Sequence, residues 1–128
     1  MSKVFTDVNV FLRAVGQDIP PFNADESAQS KLYAKLIAEE YAEFCEAIID
    51  NNDAEKADAC FDMMWVIVGY MLSRGWDVEQ IWDVGAKSNL SKIDATTGKV
   101  IRREDGKILK PEGWKPPDFA KFVKQVLS

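Results

Sequence analysis

The side chains in this sequence best suited to chemistry are carboxylates. Glu39, Glu40, Glu43 and Glu46 form one run, and Glu55, Asp58 and Asp62 form a second. Residues three, four or seven apart share a stripe on a helix, so each run gathers its acids on one side. On a helical wheel turning roughly 100° per residue, Leu32, Tyr33, Leu36, Ile37, Tyr41, Phe44, Ala47 and Ile48 fill an apolar arc of about 180°. Glu40 falls inside that arc between Leu36 and Phe44, and Glu43 falls between Leu32 and Leu36. In the second run Asp62 is bracketed by Trp65 and Val66. Glu40, Glu43 and Asp62 are therefore expected to point toward the core, with Glu39 and Glu46 at its margin.

Converging carboxylates need compensation, since two like charges ~4 Å apart repel by about 4 kcal/mol at an effective dielectric of 20. A divalent cation, ion pairs with Lys31, Lys35 and Lys56, or raised pKa values each supply it. The inward positions favour the cation, because a solvated acidic face would lie opposite the apolar arc. Oxygen donors without His or Cys suit Mg2+ or Mn2+ rather than zinc.

Composition narrows the chemistry further. With 128 residues, 47% hydrophobic and 29% charged, the chain is long enough for one domain over residues 1–128 with its own core. Histidine is absent, which excludes Ser-His-Asp and Cys-His nucleophilic sites and the HExxH zinc motif. The net charge of −5 argues against nucleic acid as the partner. Cys45 and Cys60 are too few for a disulfide framework and are expected as reduced core thiols. The apolar run from Met63 to Leu72 is about half the ~20 residues that span a bilayer, so a cytoplasmic protein without a membrane partner is expected.

Helices must position the acids. Val4, Val8, Phe11, Leu12 and Val15 repeat at helical spacing up to Gly16, which opens a loop to Asp25. A second helix is predicted from about Ser27 to Ile49, and Asn51, Asn52 and Asp53 read as a stop followed by a new cap. A third runs from about Ala54 to Arg74 before Gly75, and Asp77 with Gln80 opens a fourth through about Asn89. Beyond this helical part, about 1–92, the pair Asp105 and Gly106 between short alternating runs predicts a β-hairpin. Asp118 then caps a last helix whose Phe119, Phe122, Val123 and Val126 share a face, and the hairpin and this helix occupy about 97–128. The fold class is all-α, a four- to five-helix bundle with a small C-terminal β-hairpin.

Taken in order, Glu39, Glu40 and Glu43, then Asp58 and Asp62, then Lys87, Ser88, Asn89, Leu90, Ser91 and Lys92 resemble the all-α nucleoside triphosphate pyrophosphatases. That group includes the MazG-like proteins and the phosphoribosyl-ATP pyrophosphohydrolases. The resemblance covers nearly the whole chain, including Arg102 to Lys107 and Trp114 to Asp118, and is nearest to short MazG-like members of the kind found in phages. The second acidic element departs from the family's ExxD, because Ala59 stands three residues before Asp62. Glu55 with Asp58 satisfies ExxD literally but leaves Asp62 without a role.

The resemblance implies metal-dependent hydrolysis of a nucleoside triphosphate between its α and β phosphates, giving a monophosphate and pyrophosphate. The implied metal ligands are Glu40, Glu43, Asp58 and Asp62, with Glu55 as a further one, for Mg2+ or Mn2+. Glu39 becomes the base that orients and deprotonates water. Lys35, Lys87, Asn89, Lys92 and Arg103 are the implied phosphate contacts, and Asn23 and Trp65 the candidate base contacts. Deoxyguanosine triphosphate leads as substrate. The alternatives are a dUTP- or phosphoribosyl-ATP-cleaving member of the same fold, or a non-enzymatic helical module that oligomerises through Met63 to Leu72. A homodimer or homotetramer is expected, because so few helices leave the segment from Trp65 to Leu72 hard to cover.

Overall fold

The computed structural model describes residues 2–20 and 25–123 of the chain. Its helices are α1 (Lys3–Ala14), α2 (Ala28–Ile49), α3 (Asp53–Ser73), α4 (Val78–Leu90) and α5 (Ala120–Val123). The first four lie within two residues of where periodicity and punctuation put them.

Local chemistry explains those ends. Ser27 accepts from the Ser30 backbone N–H while the Ser30 hydroxyl accepts from Ser27 N–H, a reciprocal cap that fixes the start of α2. Between α2 and α3 the chain reverses through Asn51 at φ +51°, with Asn51 N–H donating to Ile48 O and Asn52 N–H to Ala47 O. That pair of bonds is a Schellman closure, and asparagine tolerates its left-handed residue. Asn52 then caps α3 by accepting from Glu55 N–H at 3.1 Å. Gly75, at φ +68°, ends α3 in the same way, with Gly75 N–H on Leu72 O and Trp76 N–H on Met71 O. Asp77 opens α4 by accepting from Gln80 N–H.

The tight reversal folds α2 and α3 into an antiparallel pair, and α1 and α4 pack on α3. The core is Phe5, Val8 and Leu12 of α1, Tyr33 of α2, Val66, Val68 and Leu72 of α3, and Val78 of α4. It therefore gathers at the C-terminal half of α3, while the acids of α3 lie in the N-terminal half. At the core end Glu26 accepts from Ser30 Oγ (2.5 Å), Tyr70 OH (2.5 Å) and Arg74 (2.7 Å), tying the entry of α2 to the exit of α3.

Three expectations need correction. The apolar arc of α2 is only partly covered: Leu32, Tyr41 and Ile48 are about half exposed, because within one chain α2 finds an extensive partner only in α3. Among the described residues the C-terminal β-hairpin does not form strands. A single antiparallel bridge pairs Arg102 with Ile108, held by Arg103 N–H to Lys107 O and Leu109 N–H to Ile101 O. The flanking residues are exposed, and a two-stranded ribbon without an apolar face to bury has little to extend it. Cys60 is exposed rather than a core thiol, since it falls opposite Asp62, which faces α2, on the wheel of α3, and both cysteines are free. The last helix begins where Asp118 Oδ1 accepts from Ala120 N–H, and Val126 lies outside the described residues.

Candidate metal centre

Side by side, α2 and α3 bring Glu40, Glu43 and Asp62 together, each offering a carboxylate oxygen within 4.8 Å of the others. Glu40 and Glu43 come from adjacent positions on one stripe of α2, and Asp62 faces them from the middle of α3. Glu40 and Asp62 are half-buried, whereas Glu43 is exposed. The inward placement read from the wheel thus holds for two of the three, and Glu43 reaches the group from the solvent side.

Electrostatics mark Glu40 and Asp62. Burial pushes the Glu40 carboxyl up to about 7, and the charges of Asp62, Glu43 and Asp58 push in the same direction. Asp62 is also raised, first by burial and then by Asp58 and Glu43, with a hydrogen bond to Glu40 acting against them. Among the described residues no Lys or Arg forms an ion pair with any of the four acids. Lys56 pairs with Asp53 at 3.0 Å, Arg74 with Glu26 and Arg103 with Asp105. Glu40 Oε2 is shut off from solvent and has no hydrogen-bond partner. A half-buried carboxyl with one unpartnered oxygen, grouped with two further carboxylates and no cationic side chain, is a costly arrangement for the bare protein. A hard divalent cation would satisfy it, so the donor set fits Mg2+ or Mn2+ held by Glu40, Glu43 and Asp62.

The other residues singled out in the sequence distribute unevenly. Asp58 is exposed but near enough for its charge to raise both Glu40 and Asp62. Glu55 lies at the solvent-exposed first turn of α3, where its N–H is capped by Asn52. Glu39, one turn before Glu43, is exposed at the margin, and Lys35 is exposed one turn earlier. Lys87 and Asn89 are exposed at the end of α4, where Asn89 Oδ1 accepts from Lys92 Nζ at 3.0 Å. Arg103 is bound to Asp105 through Nε at 3.3 Å and a terminal nitrogen at 2.7 Å, which commits it to its own turn. Trp65 packs its ring on Phe11, edge-on at 5.5 Å, and on Phe61 at 5.7 Å. Asn23 lies outside the described residues.

Two groupings were not foreseen. Glu26, just before α2, lies 44 and 48 positions from its partners Tyr70 and Arg74 at the end of α3, so no local spacing announces the group. The other sets Lys92 and Lys110 over the ring of Trp114, at 5.0 and 4.7 Å. No helix of the described chain is long and apolar enough to cross a membrane. No curated protein matches the chain. The phosphoribosyl-ATP pyrophosphohydrolase family model matches residues 9–89, a span that takes in the second half of α1, α2, α3, nearly all of α4 and every carboxylate of the cluster, and the chain belongs to that family.

Proposed function

We propose that the protein is a metal-dependent nucleotide pyrophosphohydrolase that cleaves a triphosphate between its α and β phosphates. The observation that carries this reading is Glu40, whose Oε2 is buried and unpartnered and whose carboxylate joins those of Glu43 and Asp62 with oxygens within 4.8 Å of one another. Membership of a pyrophosphohydrolase family supports the same reaction type. A purely structural helical module has no use for that arrangement, which costs stability until a cation is bound.

Glu40, Glu43 and Asp62 hold the cation, and Asp58 adds negative charge and a further oxygen. When bound, Mg2+ or Mn2+ neutralises phosphate oxygens and lowers the pKa of water. Glu39, exposed beside the cluster, orients that water and takes its proton. The water oxygen bonds to the α-phosphorus, the bond from that phosphorus to the α–β bridging oxygen breaks, and pyrophosphate leaves. Lys35, Lys87 and Asn89 supply donors for the phosphates.

Deoxyguanosine triphosphate is the first substrate to test on the resemblance to short MazG-like proteins, and phosphoribosyl-ATP on the family match. The test is pyrophosphate release from a panel of the common NTPs and dNTPs together with phosphoribosyl-ATP, in Mg2+ and in Mn2+. Pyrophosphate without orthophosphate from at least one compound is the expected result. Silence across the panel in both metals rejects the reading.

Assembly belongs to the same proposal. Among the described residues, Phe61 (53% exposed), Met64 (56%) and Ile67 (43%) on α3 and Tyr41 and Ile48 on α2 leave apolar surface uncovered. Such a surface suits a homodimer or homotetramer in which α2 and α3 of neighbouring copies cover one another beside the acidic cluster.

A further inference from the structure

Immediately after the family-matched residues, the chain builds a second feature with the means to hold a ligand. The turn from Pro111 to Trp114, closed by Trp114 N–H donating to Pro111 O at 3.1 Å, brings the indole back onto the end of α4. There Trp114 Nε1 donates to Ser88 O at 3.1 Å. The ring so fixed carries two ammonium groups, Lys92 Nζ at 5.0 Å and Lys110 Nζ at 4.7 Å from its centroid. Neither lysine has an ion-pair partner among the described residues. Of the nearest acids in sequence, Glu112 is exposed two residues after Lys110, and Asp94 turns Oδ1 onto the backbone N–H groups of Thr96 and Thr97. The hydroxyl of the same Ser88 is buried without a partner.

A cleft of about 310 Å³ adjoins this pair. Lys92 and Asp94 line it directly, and Lys110 is flanked in the sequence by two of its apolar lining residues, Leu109 and Pro111. Ile93 and Ile101 complete an apolar wall, and Ser91 and Thr96 add hydroxyls. Two cations sharing one ring repel each other, and an anion contacting both turns that repulsion into attraction. A mostly apolar cleft of ring-sized volume beside a paired positive charge calls for a ligand with a flat, largely apolar part and a phosphate.

We propose that Lys92, Lys110 and Trp114, together with this cleft, form a binding site for a nucleoside phosphate, with the phosphate on the two ammonium groups and the base in the cleft. The site uses residues beyond the 9–89 match, so it is a property of this chain's C-terminal segment. It binds whether or not the carboxylate cluster turns a substrate over, and its test is therefore read without metal.

The full-length protein in EDTA, labelled with nitrogen-15, gives an indole signal for each of its four tryptophans, and Trp114→Phe identifies the one in question. The probes are AMP, GMP, CMP and UMP, the four parent nucleosides, a non-hydrolysable α,β-methylene triphosphate, and inorganic phosphate. At least one nucleotide shifts the Trp114 signal saturably, at least about tenfold more tightly than phosphate or its nucleoside, a gap of 1.4 kcal/mol. Lys110→Ala weakens that binding by about tenfold while the other three indole signals stay in place. Tighter binding of the triphosphate assigns the site to substrate, and tighter binding of a monophosphate assigns it to product or an effector. No shift up to about 10 mM, phosphate binding as tightly as every nucleotide (an adventitious ion only), or a Lys110→Ala protein that binds unchanged overturns the proposal.

Discussion

The ring of Tyr33 on α2 lies so close to Gly69 on α3 that a β-carbon added at Gly69 would stand 2.5 Å from Tyr33 Cε1. Tyr33 is buried in the core, so the ring has no free direction in which to retreat. Glycine in a helix interior normally costs about 1 kcal/mol relative to alanine. Here that cost is offset by the close helix approach it permits. Gly69→Ala is expected to lower stability by about 1–3 kcal/mol, because overpacking outweighs the gain in helix propensity. Chemical denaturation measures this, and adding Tyr33→Leu should recover part of the loss. A stabilised Gly69→Ala protein would mean that the ring moves freely.

The carboxylate cluster gives the bare protein an unusual pH response. Glu40 and Asp62 both hold their protons more tightly when folded than their ordinary values of 4.5 and 3.8. A group whose pKa rises on folding contributes stability that is full below the unfolded value and is lost as pH climbs through the folded one. For Glu40 that window runs from 4.5 to about 7. In EDTA the melting temperature should therefore fall as pH is raised through that window. Glu40→Gln should flatten the fall, and Mn2+ at pH 8 should reverse it in the original protein but not in the variant. A melting temperature that rises over the same window contradicts the assignment.

Glu26 gives the opposite sign. Hydrogen bonds from Ser30 and Tyr70, and then the charge of Arg74, hold its carboxyl below its usual 4.5. Its contribution is present above that value and is lost as pH falls through the folded one. Glu26→Gln is expected to lower the melting temperature at pH 7 and to narrow its difference from the original protein at pH 3. Thermal melts across pH measure both. An equal difference at both pH values would remove the charge from the explanation.

Much of this arrangement is legible from the residues alone, and the reason is local. Ser27, Asn52, Asp77, Gly16 and Gly75 satisfy backbone groups within a few positions of themselves, so spacing locates the helix ends. Glu40 and Asp62 are legible because a charge inside an apolar arc contradicts the pattern around it. The hairpin failed because Asp105 and Gly106 specify the turn but not the packing that would extend strands from it. The covering of Leu32, Tyr41 and Ile48 could not be read either, since helical spacing says which residues are apolar and not which neighbour buries them. The Glu26 network and the bracketing of Trp114 depend on residues brought together from distant positions, for which periodicity carries no signal.

The exposed apolar residues predict assembly. Phe61 and Met64 lie one turn apart on α3, and both are more than half exposed. Light scattering after size exclusion should give a dimer or tetramer at micromolar concentration. Phe61→Glu with Met64→Glu should shift the mass to that of a monomer, 14.4 kDa, because two charges would be buried at the interface. A wild-type protein already at that mass shows that these residues are simply solvated.

The acids of α3 differ in how firmly they can be tied to the cation, and that difference is measurable. Asp62 sits within the group of three oxygens, Asp58 acts on it and on Glu40 through its charge, and Glu55 is one turn further out at the capped start of the helix. A residue that sets the field at Glu40 must change cation affinity even when its own oxygen is not a ligand. Asp62→Asn should abolish Mn2+ binding followed by electron paramagnetic resonance, and with it pyrophosphate release. Asp58→Asn should raise the Mn2+ concentration needed for half-maximal release by about tenfold, the equivalent of 1.4 kcal/mol. Glu55→Gln should change it by less than about threefold, since an exposed charge a turn away is largely screened. If Glu55→Gln instead matches Asp58→Asn, the metal site extends toward the start of α3 and takes Glu55 and Asp58 as its second acidic pair.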